Sequence, residues 1–163
     1  MFGITGYSGA GKTTLIERLL GELAVRSIAA SVIKHTHHDF DLDQPGKDSH
    51  RMREAGAREV MLVGERRWVL MREEAQSTPD LAHQLERLGD VDLVLVEGFR
   101  TAPIPKLEVW RAEHARPPRF AGDASIIAIA VDGAAPQDCT VPVYQLNDTA
   151  SITQLVFERA VTC

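Results

Sequence analysis

A chain of 163 residues, 44% hydrophobic and 25% charged, has the composition of one soluble globular domain. Its formal net charge of −5 argues against broad binding to nucleic acid or anionic membrane, and no apolar run approaches the ~20 residues that span a bilayer. The two cysteines, Cys139 and Cys163, lie far apart without metal-ligand spacing, as expected of a protein in a reducing cytoplasm.

Met1-Phe-Gly-Ile-Thr5 reads as a short apolar strand, and no signal peptide is expected before it. Gly6-Tyr-Ser-Gly9-Ala-Gly11-Lys12-Thr13 follows, meeting every fixed position of the phosphate loop G-x-x-x-x-G-K-[ST]. Glycines let successive N–H groups converge on a phosphate. Lys12 is then aimed at the β- and γ-phosphates and the Thr13 hydroxyl at Mg²⁺. A helix from Thr13 to about Arg26 would present its positive end to the same anion.

Ser27–Ile33 reads as a second strand, apolar enough to be buried on both faces. The polar stretch 34–47, rich in His and Asp, is a loop too long for a plain connector. Asp48-Ser49 is placed to cap a short helix through Ala55, ended by Gly56. Glu59–Val63 and Arg67–Met71 pattern as a hairpin about Gly64-Glu65. Thr78-Pro79 marks the start of a helix to about Leu88.

Val91–Val96 is the strongest strand pattern, ending at Glu97-Gly98, and Lys106–Arg111 alternates as a strand. His114–Gly122 reads as loop, Ser125–Val131 as a buried strand ending at Asp132-Gly133, and Val141–Gln145 as a short strand that Pro142 assigns to an edge or a strand start. Asp148 caps a last helix to about Ala160. Strands alternating with helices predict a single α/β domain over 1–163: a P-loop NTPase-like three-layer sandwich, its sheet mainly parallel, with one β-hairpin insertion.

In open α/β sheets, ligands bind beyond the carboxyl ends of the strands. Glu97 is the acid expected to hold the metal there, since Asp92 falls at the other end of the strand, about 16 Å earlier. The candidate nucleotide contacts are Gly6, Ser8, Gly9, Ala10, Gly11, Lys12, Thr13 and Thr14 of the loop, together with Lys34, His35 and Asp132, and Lys12 and Glu97 are the catalytic candidates. Lys34-His35-Thr-His37-His38-Asp39 invites a transition-metal reading. Neighbouring side chains alternate faces on an extended strand, however, and no cysteine is near. Contact with phosphate or Mg²⁺-bound water through imidazole and Lys34 is the stronger expectation. Asp39, Asp41, Asp43 and Asp48 are all available carboxylates for the metal.

Gly6–Thr13, Lys34-His35-Thr-His37-His38, Asp43-Gln-Pro-Gly-Lys-Asp-Ser49, Ala55-Gly-Ala57, Asp92–Phe99 and Pro105–Val109 resemble the MobB family of molybdopterin-guanine dinucleotide biosynthesis adapter proteins. The likeness covers about two-thirds of the chain. It implies a dimeric, cytoplasmic GTP-binding protein with weak Mg²⁺-dependent hydrolysis. Such a protein would assist a MobA-type molybdopterin guanylyltransferase, with molybdopterin-carrying proteins as further partners. The wider group containing dethiobiotin synthetase carries a metal set that maps onto Thr13, Asp48 and Glu97.

The N-K-x-D guanine signature of regulatory GTPases is missing, and Asp132 and Asp148 are the acids available to replace it, Asp148 reading better as a helix cap. The hairpin residues Val60, Leu62, Trp68 and Leu70 carry more apolar surface than a two-stranded ribbon buries alone, which marks them as the dimer contact. Two rival functions stand beside the adapter reading. One is a small-molecule kinase or ATP-dependent ligase, with Lys34, Arg100 and Lys106 holding an anionic acceptor. The other is a metal-binding chaperone that uses the histidine stretch.

Overall fold

The computed structural model describes residues 1–36, 42–73 and 80–162. The chain divides into two compact units: residues 1–35 with 80–163, and residues 36–79.

The first unit is built on a six-stranded, all-parallel sheet. Its strands are β1 (Phe2–Gly6), β2 (Ala30–Lys34), β5 (Leu93–Glu97), β6 (Lys106–Trp110), β7 (Ile126–Val131) and β8 (Val143–Gln145), in the order β2-β5-β1-β6-β7-β8. The inner strands are continuous apolar runs because both faces are covered. On one face α1 (Lys12–Val25) and α4 (Thr149–Arg159) place Leu15, Leu19, Leu23, Ile152 and Val156 against Phe2, Ile4, Leu95 and Leu107. On the other, Leu81 of the short α3 (Leu81–Leu85) packs with Val94, Val96 and Ile104, and Phe120 packs with Ile126 and Ile129. This is the expected three-layer α/β arrangement.

Sequence and structure part in several places. β2 is an edge strand with Val32 exposed, not a strand buried on both faces, because β5 and not β2 pairs with β1. The stretch 114–122 carries part of two 3₁₀ turns, Ala112–His114 and Phe120–Gly122. Helix α3 starts on Asp80, whose carboxylate accepts from the Ala82 N–H, and is shorter than expected; Thr78 and Pro79 lie outside the described residues. Asp92, set aside as a metal ligand, accepts instead from the Ala29 N–H at 2.8 Å and fixes the entry to β2. Other local signals hold: Pro142 precedes the edge strand β8, and the Asp148 carboxylate caps α4 by accepting from Ser151 N–H at 3.1 Å.

The second unit contains α2 (Asp48–Glu54) and the antiparallel hairpin of β3 (Glu59–Val63) and β4 (Trp68–Arg72). Lys47, not Asp48, is the N-cap of α2, and Asp48 is its first residue; Gly56 ends it at φ 99°. The Asp43 carboxylate accepts from Ser49 Oγ at 2.5 Å and Arg53 Nε at 3.1 Å, so this part of the Asp43–Ser49 motif ties the loop to its helix. Val60 is buried, whereas Leu62, Trp68 and Leu70 are exposed, as are Met61 and Val63.

Candidate functional site

The phosphate loop leaves the carboxyl end of β1, which is flanked by the ends of β5 and β6. Gly6, Gly9 and Gly11 take φ of 137°, 80° and 102°, the left-handed excursions that turn backbone N–H groups inward. At Gly6 there is no room for anything larger: a Cβ there would lie 2.3 Å from the Val109 carbonyl oxygen of β6. No side chain among the described residues caps the N-terminus of α1, and its first turn holds no acid, so its N–H groups and positive end can face an anion.

Lys12 folds back over the loop and donates from Nζ to the Tyr7 carbonyl at 2.9 Å. Burial lowers its pKa; Glu97 opposes that shift, while the neighbouring charges of Lys34 and Arg119 add to it. Lys34, at the end of β2, reaches Glu97 Oε2 at 3.4 Å and the Thr13 hydroxyl at 3.5 Å. Glu97 is buried in β5, directly across from Lys34 in the ladder. An ammonium group thus lies between a hydroxyl and a carboxylate, a hard oxygen pair that also suits a small divalent cation such as Mg²⁺. The His35 backbone N–H donates to the Glu97 backbone carbonyl at 2.8 Å, and the His35 ring packs on Phe99 at 5.0 Å. Thr14, Ser8 and Gly9 are exposed and Ala10 is buried.

Asp48 belongs to the second unit, where its exposed carboxylate lies 3.9 Å from Arg51. His37, His38, Asp39 and Asp41 lie outside the described residues; among the described residues no cluster of three or more His, Cys, Asp or Glu is arranged to hold a metal. Lys106, offered to an anionic acceptor in the kinase or ligase reading, is 1% exposed. Its ammonium donates to the Ala102 carbonyl and the Ser125 hydroxyl, a structural tie that takes it away from any ligand. Arg100 is exposed.

A cleft of about 240 Å³ opens beside the loop, lined by Gly11, Thr14, Arg18, Arg111, Asp132 and Asn147 among others. Asp132 does stand there, with its carboxylate 2.9 Å from Arg111. Arg111 was not among the predicted residues, yet its Nε donates to the Ala10 carbonyl at 3.0 Å and so braces the loop. The connection from β6 to β7 adds His114, Arg116 and Arg119 around Gly9 and Tyr7. The basic run Arg111–Arg119 was the only sequence signal for these neighbours, and it lacks a motif.

A phosphate loop at the end of a central strand of a parallel sheet, followed by an uncapped helix, defines a P-loop nucleotide-binding fold. A profile described as molybdopterin guanine dinucleotide synthesis protein B, MobB, matches residues 1–132. A molybdopterin-guanine dinucleotide biosynthesis adapter protein of Haemophilus influenzae is 48% identical over 135 residues, covering 81% of this chain and 74% of that one. The Escherichia coli protein of the same name is 38% identical over 168 residues, covering 97% and 91%. A crystal structure of Bacillus subtilis MobB matches with a TM-score of 0.75 at 24% identity, covering 99% of this chain and 98% of that one. The chain belongs to the MobB family.

Proposed function

We propose that the protein is a Mg·GTP-binding adapter in molybdopterin guanine dinucleotide biosynthesis that assists the guanylyltransferase step and hydrolyses GTP slowly. The observation that carries this reading is the open loop Gly6–Thr13 with Lys34 bridging Thr13 and Glu97, on a chain of the MobB family. The loop N–H groups and Lys12 bind the phosphates. Thr13 and Glu97 would hold Mg²⁺, which would supply neutralisation of the phosphate charge. Asp132, in the cleft next to Gly11 and Thr14, accepts from the guanine N1–H and N2–H₂ edge, which adenine does not offer. Slow turnover fits a sequence with no glutamine next to the strand end at Glu97-Gly98.

The exposed apolar side chains of the hairpin, Leu62, Trp68 and Leu70, support a homodimer formed through that ribbon. No helix among the described residues is long and apolar enough to cross a membrane, which is compatible with work in the cytoplasm. The test is a titration with GTP, ATP and molybdopterin, reading affinity and turnover together with and without Mg²⁺. Tight GTP binding with negligible turnover supports the adapter. Rapid ADP formation with a carboxylate or hydroxyl acceptor would replace it with the kinase or ligase reading.

A further inference from the structure

The crossover from β6 to β7 carries a cation onto the loop that the loop motif does not include. Its backbone is held from the sheet side. Glu108, fully buried in β6, accepts from the Arg119 N–H at 2.8 and 2.9 Å and from the Phe120 N–H at 3.1 Å. Burial pushes the Glu108 carboxyl up, and the two N–H groups pull it back toward the charged form. The side chain is held from the loop side. The Arg119 guanidinium lies 4.2 Å from the centroid of the Tyr7 ring, Arg116 lies at 4.9 Å, and the Tyr7 hydroxyl donates to the Pro117 carbonyl at 3.2 Å.

Inside this packing Arg119 Nε and His114 Nε2 are buried with no hydrogen-bond partner among the described residues. His114 lies over the loop, its Cε1 3.6 Å from where a Cβ on Gly9 would be. A buried donor left unmatched carries a desolvation penalty that an anion would offset. Position selects which anion. The Tyr7 carbonyl is where the Lys12 ammonium rests, and Lys12 is the group that serves the β- and γ-phosphates. The cleft next to Gly11 and Thr14 is lined by neither Tyr7 nor Arg119.

The geometry points to Arg119, with His114 beside it, as a second cationic contact for the terminal phosphate of a nucleoside triphosphate, supplied by the chain itself. This rests on the reading of the loop as a GTP site. A merely structural Arg119, stacked on Tyr7 to hold the crossover, would lower affinity for every nucleotide alike. The experiment is calorimetric titration of the full chain and of Arg119→Ala and Arg119→Lys with GTP, GDP and inorganic triphosphate. Arg119→Ala should reduce affinity for GTP and inorganic triphosphate roughly tenfold while GDP changes by no more than about threefold, and Arg119→Lys should recover part of the loss. An unchanged GTP/GDP affinity ratio in Arg119→Ala overturns the inference. Should that variant not fold, the same ratio unchanged in Arg119→Lys and Tyr7→Leu overturns it. If the parent chain binds inorganic triphosphate but not GTP, the guanine reading fails and the triphosphate titrations still decide Arg119. If it binds neither, both fall.

Discussion

If Glu97 holds Mg²⁺ as proposed, replacing it by Gln separates metal binding from folding, because the two have very different sensitivities to its charge. Lys34 Nζ stands 3.4 Å from the Glu97 carboxylate, a separation worth about 5 kcal/mol of Coulomb attraction at an effective dielectric of 20. Lys34 is 57% exposed, however, so solvent screens the pair toward the ~0–1 kcal/mol of surface ion pairs. Losing the charge of a nearly buried carboxylate also recovers desolvation energy. The two effects oppose, and the stability of the apoprotein should change by no more than about 1 kcal/mol, roughly 2–4 °C in Tm for a chain of this size. Mg²⁺ has no such compensation. The amide keeps an oxygen but loses the charge that a hard cation prefers, so the Mg²⁺-dependent gain in GTP affinity should fall at least tenfold, about 1.4 kcal/mol. Thermal denaturation and GTP titration with and without Mg²⁺ read the two quantities on the same sample. A variant in which Mg²⁺ strengthens GTP binding as much as in the parent would show that Glu97 is not at the metal.

Lys12→Ala should weaken triphosphate binding at least tenfold while leaving the fold intact, since the ammonium donates to the loop carbonyl of Tyr7 and holds no ion pair among the described residues; equal GTP affinity by titration would remove the loop assignment. Asp132→Asn should narrow the preference for GTP over ATP by about 1–3 kcal/mol, and an unchanged ratio in competition binding would move base recognition elsewhere. Gly98→Ala should cost roughly 2–5 kcal/mol in chemical denaturation, from positive φ plus overpacking, because φ is 97° and a Cβ would lie 2.7 Å from His35 Cβ and 2.9 Å from its carbonyl oxygen. Trp68→Glu should shift a dimer toward monomer by light scattering, and a parent chain that is monomeric at micromolar concentration would refute the hairpin contact.

What was legible in the sequence is what local chemistry decides. The loop could be read from eight consecutive residues, the Asp148 cap from its own helix, and Glu97 from the apolar run that ends on it. What was not legible depends on strand order. Ser27–Ile33 looked buried because its composition is apolar, but burial at both faces requires a central place in the sheet, and that place went to β5. Lys106 looked like an anion ligand because lysine is usually exposed. Next to β1 in the middle of the sheet its ammonium finds Ala102 and Ser125 instead. Arg111 and Arg119 gained their positions only because β6 pairs with β1, so that a basic stretch about a hundred residues downstream returns to the loop.

The same pairing gathers cationic side chains around the phosphate loop of a chain with net charge −5. Within the first unit Lys34 is matched by Glu97, and Arg111 by Asp132 and Glu113. Lys12 instead donates to a carbonyl and Arg119 lies on an aromatic ring, and neither is in an ion pair among the described residues. Their charge is therefore available to a ligand without first breaking a pair, and in a partly desolvated setting it acts more strongly than it would in water. A divalent cation that takes Glu97 must compete with the Lys34 ammonium, and the displaced ammonium remains within reach of the Thr13 end of the loop. Metal and triphosphate should consequently bind with positive coupling: each addition of Mg²⁺ frees one more cation for the phosphates. On this reading Lys34→Met should reduce that coupling, tightening Mg²⁺ in the absence of nucleotide and weakening the gain that nucleotide confers. A Mg²⁺ affinity that the substitution leaves unchanged, with and without GTP, would show that the ammonium and the metal do not share a position.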